Sequence, residues 1–282
     1  MPVQTNKDVI FIKIITVDDQ MKIENLNHSS KGDQPKWLIK NQYYKADHMG
    51  YESLSEYLVS ELLKNSNITN FVEYTPVTIK YNGKELIGCE SKNFLKKGEE
   101  LFTFERLHRA YTGKELYKTV WQMNDVKNRI VYTVDFIEKV TDLKNVGEYL
   151  TAIAEIDMLF LNEDRHFNNL SVIRNQKNEF RLSPIFDNGL SFLSDTKIDY
   201  PLGTDIYQAI SKIKAKPFST DFDTQTDILE QLYSTQLTIC TDKNHIRDLI
   251  DDLTEFYPAD IISRVTTIVL GQMRRYGIYF SE

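Results

Sequence analysis

The apolar positions change their period part-way along the chain. Over residues 9–17 (VIFIKIITV) they run almost continuously and are mostly β-branched, which predicts a buried or edge strand. A polar Ser/Gly-containing turn follows and leads into a second strand, Trp37-Leu-Ile-Lys40. Residues 50–64 place apolar side chains at 51, 54, 58, 62 and 63, a helical period. Strand runs at 71–80 and 84–89 flank Asn82-Gly83, a strong hairpin signal. Beyond the polar stretch 90–100, which contains Gly98, helical periods dominate. Val126, Ile130, Val134 and Ile137 line one helix face; Leu150, Ile153, Ile156 and Phe160 sit in a helix apolar on most sides, as a central buried helix is. Further helices are predicted at about 204–214, 224–236, 243–256 and 259–276, the last stopping before Gly277.

One stretch of the second half, residues 157–192, departs from this pattern. Its short apolar runs at 170–173 and 180–185 flank a polar segment at 174–179, which predicts a strand, a turn and a strand. Such a hairpin brings Asn169, just before it, next to Asp187, just after it, with Asp164 on the loop leading in. Two carboxylates and an amide oxygen are hard ligands that suit Mg²⁺ carrying nucleotide phosphates. Phosphoryl transfer asks little more of a protein: an acid to orient the attacking hydroxyl, metal ligands, and a cation on the phosphates. An Asp-x4-Asn pair alone is a weak signal, because both residues are common in turns. Phe186-Asp-Asn-Gly189 after the hairpin strengthens it.

Composition narrows the classes. With 282 residues, 41% hydrophobic and 27% charged, the chain is long enough for one large or two ordinary folded lobes. A net charge of −7 supplies no global field toward nucleic acid or an anionic membrane. Cys89 and Cys240 are far apart and lack metal-ligand spacing. No signal pattern opens the chain, and no apolar run approaches the roughly 18 residues of a membrane helix. A cytoplasmic protein with no membrane span and no direct nucleic-acid partner is the expectation.

Lys40 at the end of an apolar strand is either an edge residue or a cation projecting into a cleft. The helix after it offers Glu52 and Glu56, one turn apart, and a kinase uses such a Glu to hold its phosphate-binding lysine. The expected fold is therefore α+β and bilobal, protein-kinase-like. A small β-rich lobe spans 1–90 and a larger helical lobe spans 91–282.

These residues resemble the HipA-like serine/threonine kinases of bacteria, including their shorter, CtkA-like members. The resemblance rests on Gly32-x-Gln34-x-Lys36, Lys40, Asp164-Arg-His-Phe-Asn-Asn169 and Phe186-Asp187, and it spreads over most of the chain. It implies an ATP- and Mg²⁺-dependent protein kinase. Ser30, Gly32, Gln34 and Lys36 would belong to the phosphate loop, and Lys40 would sit on the α/β-phosphates with Glu56 as its partner and Glu52 as the fallback. Asp164 would be the catalytic base, and Asn169 and Asp187 the metal ligands. The hinge, with Lys92 and Phe94, would bind adenine through backbone groups. His166, which follows the Asp here, is either a donor beside the nucleotide or a packed histidine. The resemblance also implies self-inactivation by phosphorylation of Ser29 or Ser30, and leaves room for an antitoxin or regulatory partner besides an unidentified protein substrate.

Two other readings stand beside this one. Asp187-Asn-Gly-Leu-Ser-Phe192 is also similar to the motif of type II phosphatidylinositol kinases, which makes a lipid kinase the alternative. A nucleotide-binding pseudokinase acting as an interaction module is the third, although no essential group is missing.

Overall fold

The computed structural model of the protein describes residues 13–23 and 34–281. Its first half is a twisted sheet carrying one helix: β1 (Lys13–Thr16), β2 (Lys36–Ile39), β3 (Gln42–Ala46), α1 (Glu52–Lys64), β4 (Thr75–Tyr81) and β5 (Lys84–Lys92). The strands lie in the order β1-β4-β5-β3-β2, with β1 parallel to β4 and the other neighbours antiparallel. Of the strand expected at 9–17, Lys13–Thr16 appears as β1, and residues before 13 lie outside the described residues.

Strand alternation gives this sheet two different faces. One buries Trp37, Tyr44, Ala46, Val77 and Ile79 with Val17 in a small core of its own. The other carries Lys45 opposite Cys89 and is covered by α1. Residues 71–74, expected to begin a strand, instead join the two halves of the molecule: Phe71 bridges Ile185, and the Val72 N–H donates to the Ile185 carbonyl at 2.9 Å.

The second half contains β6 (Glu100–Thr103), α2 (Phe104–Thr112), α3 (Leu116–Trp121), α4 (Val126–Thr141), α5 (Val146–Phe160), β7 (Ser171–Arg174), β8 (Phe180–Leu182), α6 (Ile206–Ile210), α7 (Phe222–Tyr233), β9 (Ile239–Cys240), α8 (Lys243–Asp251), α9 (Ala259–Arg275) and β10 (Phe280–Ser281). Every residue of α5 except Glu148 is buried, because α4, α7 and α9 surround it. The predicted hairpin is β7–β8, in register Val172↔Leu182, and β6 extends it to three strands. Asp125, Asp205, Asp221 and Asp242 begin helices by accepting main-chain N–H groups, each satisfying orphan donors of a first turn. The helix expected at 204–214 is only the short α6, since the chain after it is bent by backbone bonds such as Ala215 N–H to Thr220 O. α8 likewise stops at Asp251, short of the expected 256.

The two halves meet closely at the start of α1. Gly50 bridges Asp195, and a Cβ on it would lie 2.0 Å from the Ser194 carbonyl oxygen. Gly50→Ala is therefore expected to cost about 1–3 kcal/mol as overpacking against backbone. Gly203→Ala, where nothing lies within 4 Å, is expected to stay within about 0.5 kcal/mol of the parent. Urea unfolding of both variants checks the difference.

Candidate active site

A buried lysine lies at the seam between the halves, and it is Lys45. Its Nζ donates to Glu56 Oε1 at 2.6 Å and to Asp187 Oδ1 at 3.1 Å. Glu56 is fully buried on α1, and its other oxygen accepts the Asn188 N–H at 2.9 Å. One carboxylate thus holds both the lysine and the backbone beside Asp187. Burial alone would drive the Lys45 ammonium to lose its proton, but Asp187 and Glu56 outweigh that and hold its pKa well above the usual value. Burial would likewise raise the Asp187 carboxyl, yet Lys45, Lys36 and Arg165 keep it well below the ordinary carboxylate range. Lys36 contributes because β2 places it directly opposite Lys45 on the same face. Like charges opposite one another weaken a sheet. Here they form a cationic platform above an aspartate, which polyphosphate would complement.

Lys40, expected in this position, is not there. It is exposed on the turn between β2 and β3 with φ 57°, because the apolar run Trp37-Leu-Ile ends in a reversal and does not continue into the cleft. The next strand, Gln42–Ala46, carries the lysine that reaches Glu56. Of the two candidate glutamates, Glu52 is committed elsewhere: its carboxylate accepts the N–H groups of His48, Met49 and Gly50 and pins the entry to α1.

Asp164, Asn169 and Asp187 are drawn together by an amide and a guanidinium. The Asn169 side chain donates to the Asp164 carbonyl at 3.0 Å. Asn162 accepts from the Asp164 N–H at 3.3 Å and donates to the Asp187 carbonyl at 3.4 Å. Arg165, 1% exposed, forks onto Asp157 of α5 with bonds of 2.9–3.2 Å and donates to Phe186 O and Asn188 Oδ1, both at 2.6 Å. The loop bearing Asp164, the loop bearing Asp187 and the central helix therefore share one buried cation. Neither Asn162 nor the Asp157–Arg165 pair stands out in the sequence; an Asp in a mostly apolar helix is the available signal.

Asp164 receives a further contact from far along the chain: Lys216 Nζ donates to its Oδ1 at 2.8 Å. His166 is half-buried, with Nε2 3.9 Å from Asp164 Oδ2. Lys92 is exposed at the end of β5, and Phe94 packs on Phe186 at 5.7 Å between ring centroids. Phe94 and Phe186 flank the small cluster of Val72, Tyr74 and Cys89, whose Tyr74 ring lies 5.3 Å from Lys45 Nζ. Along the hinge a cleft of about 740 Å³ is lined by Gln42, Glu90, Lys92 and Phe94 among others. Gln34 is half-buried before β2, whereas Ser29, Ser30 and Gly32 lie outside the described residues.

Among the described residues no three His, Cys, Asp or Glu side chains are grouped to hold a metal ion. Asn169 and Asp187 fit a different arrangement, in which Mg²⁺ keeps most of its shell on phosphate and water and takes only one or two protein oxygens. No helix among these residues is long and apolar enough to cross a membrane.

No protein-family model matches the chain, and no curated protein matches it by sequence. Among solved structures, it is similar to the Helicobacter pylori proinflammatory kinase CtkA, with TM-score 0.59, 19% identity, and coverage of 92% of this chain and 94% of that one. The chain has a kinase fold. A more distant similarity is to the HipA toxin–antitoxin complex with HipB and operator DNA from Shewanella oneidensis MR-1, at TM-score 0.45, 13% identity, and coverage of 91% and 67%. The α+β, bilobal, kinase-like expectation agrees with the CtkA neighbour at the level of the fold, as does the resemblance to the shorter, CtkA-like kinases.

The Arg165–Asp157 pair yields a stability test. Arg165→Met strands a buried carboxylate and is expected to cost about 3–5 kcal/mol, whereas the double variant Arg165→Met/Asp157→Leu removes both charges and is expected to recover a large part of it. Denaturant unfolding of the two variants against the parent measures this.

Proposed function

We propose that the protein is an ATP- and Mg²⁺-dependent protein kinase acting on a serine or threonine hydroxyl. The observation that carries this reading is the convergence of Lys45, Glu56 and Asp187 with the Asp164–Asn169 loop, the parts list of phosphoryl transfer between a lysine-bearing strand, a helix and two acidic loops. Lys45 and Lys36 would take the α- and β-phosphate oxygens, and the hinge at Lys92 and Phe94 would border the adenine. Asn169 and Asp187 would hold Mg²⁺, which supplies charge neutralisation at the phosphates when bound. Asp164 orients the acceptor hydroxyl. As the hydroxyl oxygen bonds the γ-phosphorus, the bond from phosphorus to the β–γ bridging oxygen breaks. The electron pair leaves with ADP, and the hydroxyl proton passes to Asp164.

The complete set of groups favours an active enzyme over a pseudokinase. The HipA-like resemblance adds two finer proposals, self-phosphorylation at Ser29 or Ser30 and control by a partner protein. In the phosphate loop that the resemblance implies, a phosphate would add about −1.5 to −2 charges, which would oppose ATP binding.

Incubation with labelled Mg·ATP in a host lysate, and separately with phosphoinositide vesicles, tests the reading. Protein labelling is expected, and mass spectrometry identifies modified serines in the lysate and in the enzyme itself. Asp164→Ala is expected to lower transfer about 10²–10⁴-fold with nucleotide binding retained, and Asp187→Ala to weaken Mg·ATP binding. Parental transfer by either variant, or label confined to lipid, contradicts the proposal.

A further inference from the structure

We infer that Lys216 is a second cation of the reacting centre: it fixes Asp164 through one carboxylate oxygen and stabilises the negative charge on the γ-phosphoryl group as it is transferred. This rests on the phosphotransfer reading above and extends it to a residue outside every motif of the sequence.

Lys216 lies 52 positions beyond Asp164, on the segment between α6 and α7. Its Nζ to Asp164 Oδ1 distance is 2.8 Å, and the two side chains remain 39% and 16% exposed. A pair this exposed does little for stability, because solvent screens it. Its surroundings are nevertheless built to hold it. The Lys216 carbonyl accepts from Gln225 Nε2 at 3.1 Å, and the same buried glutamine accepts the N–H groups of Phe218 and Ser219. Trp121 Nε1 donates to the Pro217 carbonyl at 2.9 Å, and Arg129 to the Phe218 carbonyl at 2.8 Å. The Phe218 ring packs edge-on against Phe167 of the catalytic loop, with 5.6 Å between centroids. Three helices thus fix the backbone on which one partly exposed lysine reaches the proposed base.

The geometry divides the work on Asp164. Oδ1 is taken by Lys216, and among the described residues no hydrogen bond closes on Oδ2, which leaves that oxygen for the acceptor hydroxyl. A hydroxyl held there presents its oxygen to the γ-phosphorus within reach of the Lys216 ammonium. Lys36 and Lys45 serve the other end of the nucleotide, on the Asp187 side. Lys216 supplies positive charge on the Asp164 side, where charge develops on the transferring group.

The test is steady-state ADP release from Mg·ATP, with titration of a fluorescent ATP analogue and thermal unfolding on the same samples. Lys216→Met is expected to lower kcat about 10²–10³-fold, the cost of removing one preorganised donor, with KM for ATP, analogue affinity and melting temperature near those of the parent. Lys216→Arg, which keeps the charge, is expected to restore most of kcat. A Lys216→Met enzyme within threefold of the parent overturns the inference. So does an unchanged kcat with raised KM, which would make Lys216 a nucleotide-binding residue, and so does a folded Lys216→Arg enzyme as slow as Lys216→Met. If Lys216→Met does not fold, Lys216→Gln takes its place in the same comparisons, with the same expected and overturning results. A parent that binds Mg·ATP and releases no ADP contradicts the phosphotransfer reading itself, a result distinct from an active parent matched by its Lys216 variants.

Discussion

The ammonium of Lys45 sits between two carboxylates from opposite halves of the chain, and much of the structure is arranged to keep it charged there. A buried cation with one partner removed is strongly destabilising, whereas a paired and hydrogen-bonded one is tolerated. Glu56 and Asp187 must therefore both be in place, which ties the position of α1 to that of the loop after β8. The Glu56 contact to the Asn188 N–H makes this coupling direct. Other contacts fasten α1 along its length. Tyr51 donates to the Phe192 and Leu193 carbonyls and Ser55 to Ser191, while at the far end Asn65 and Asn67 bond to the segment 236–240. A helix held at both ends against the second half keeps its glutamate in register with the lysine without a further partner.

Arg165 performs the corresponding service on the other side of the cleft. Its fork on Asp157 anchors it in α5, the most buried helix, and its remaining donors reach the residues on either side of Asp187. Burial pushes the Asp157 carboxyl up even against the pull of Arg165, a sign of how dry this junction is. The cost of such a pair buys position: the carboxylates at 164 and 187 are set by the same rigid group. Asn162 adds a second link between the same two loops.

What sequence could disclose followed from how local each feature is. The hairpin 171–182 and the residues at its mouth were legible because strand–turn–strand patterning and short spacing determine them. The helical period of 50–64 identified α1, yet only coordinates separate Glu56, facing Lys45, from Glu52, which holds the backbone leading into the helix. Sequence points to Lys40 as the partner of Glu56, where the structure has Lys45, because Trp37-Leu-Ile-Lys40 looks like a complete strand. Both lysines follow apolar residues, and the turn at 40–41 with its positive φ decides between them. Lys216, Asn162 and Arg165 act through contacts that no periodicity encodes, and β6 is too short to stand out before its pairing with β7 is seen.

Mg·ATP affinity of Lys45→Met beside Lys40→Met, measured by calorimetry on folded protein, tests most directly whether the buried lysine is the one that holds the nucleotide. Loss of at least about tenfold in affinity, roughly 1.4 kcal/mol, is expected for Lys45→Met, with Lys40→Met matching the parent. Parental affinity in a folded Lys45→Met protein, together with loss in Lys40→Met, would contradict it.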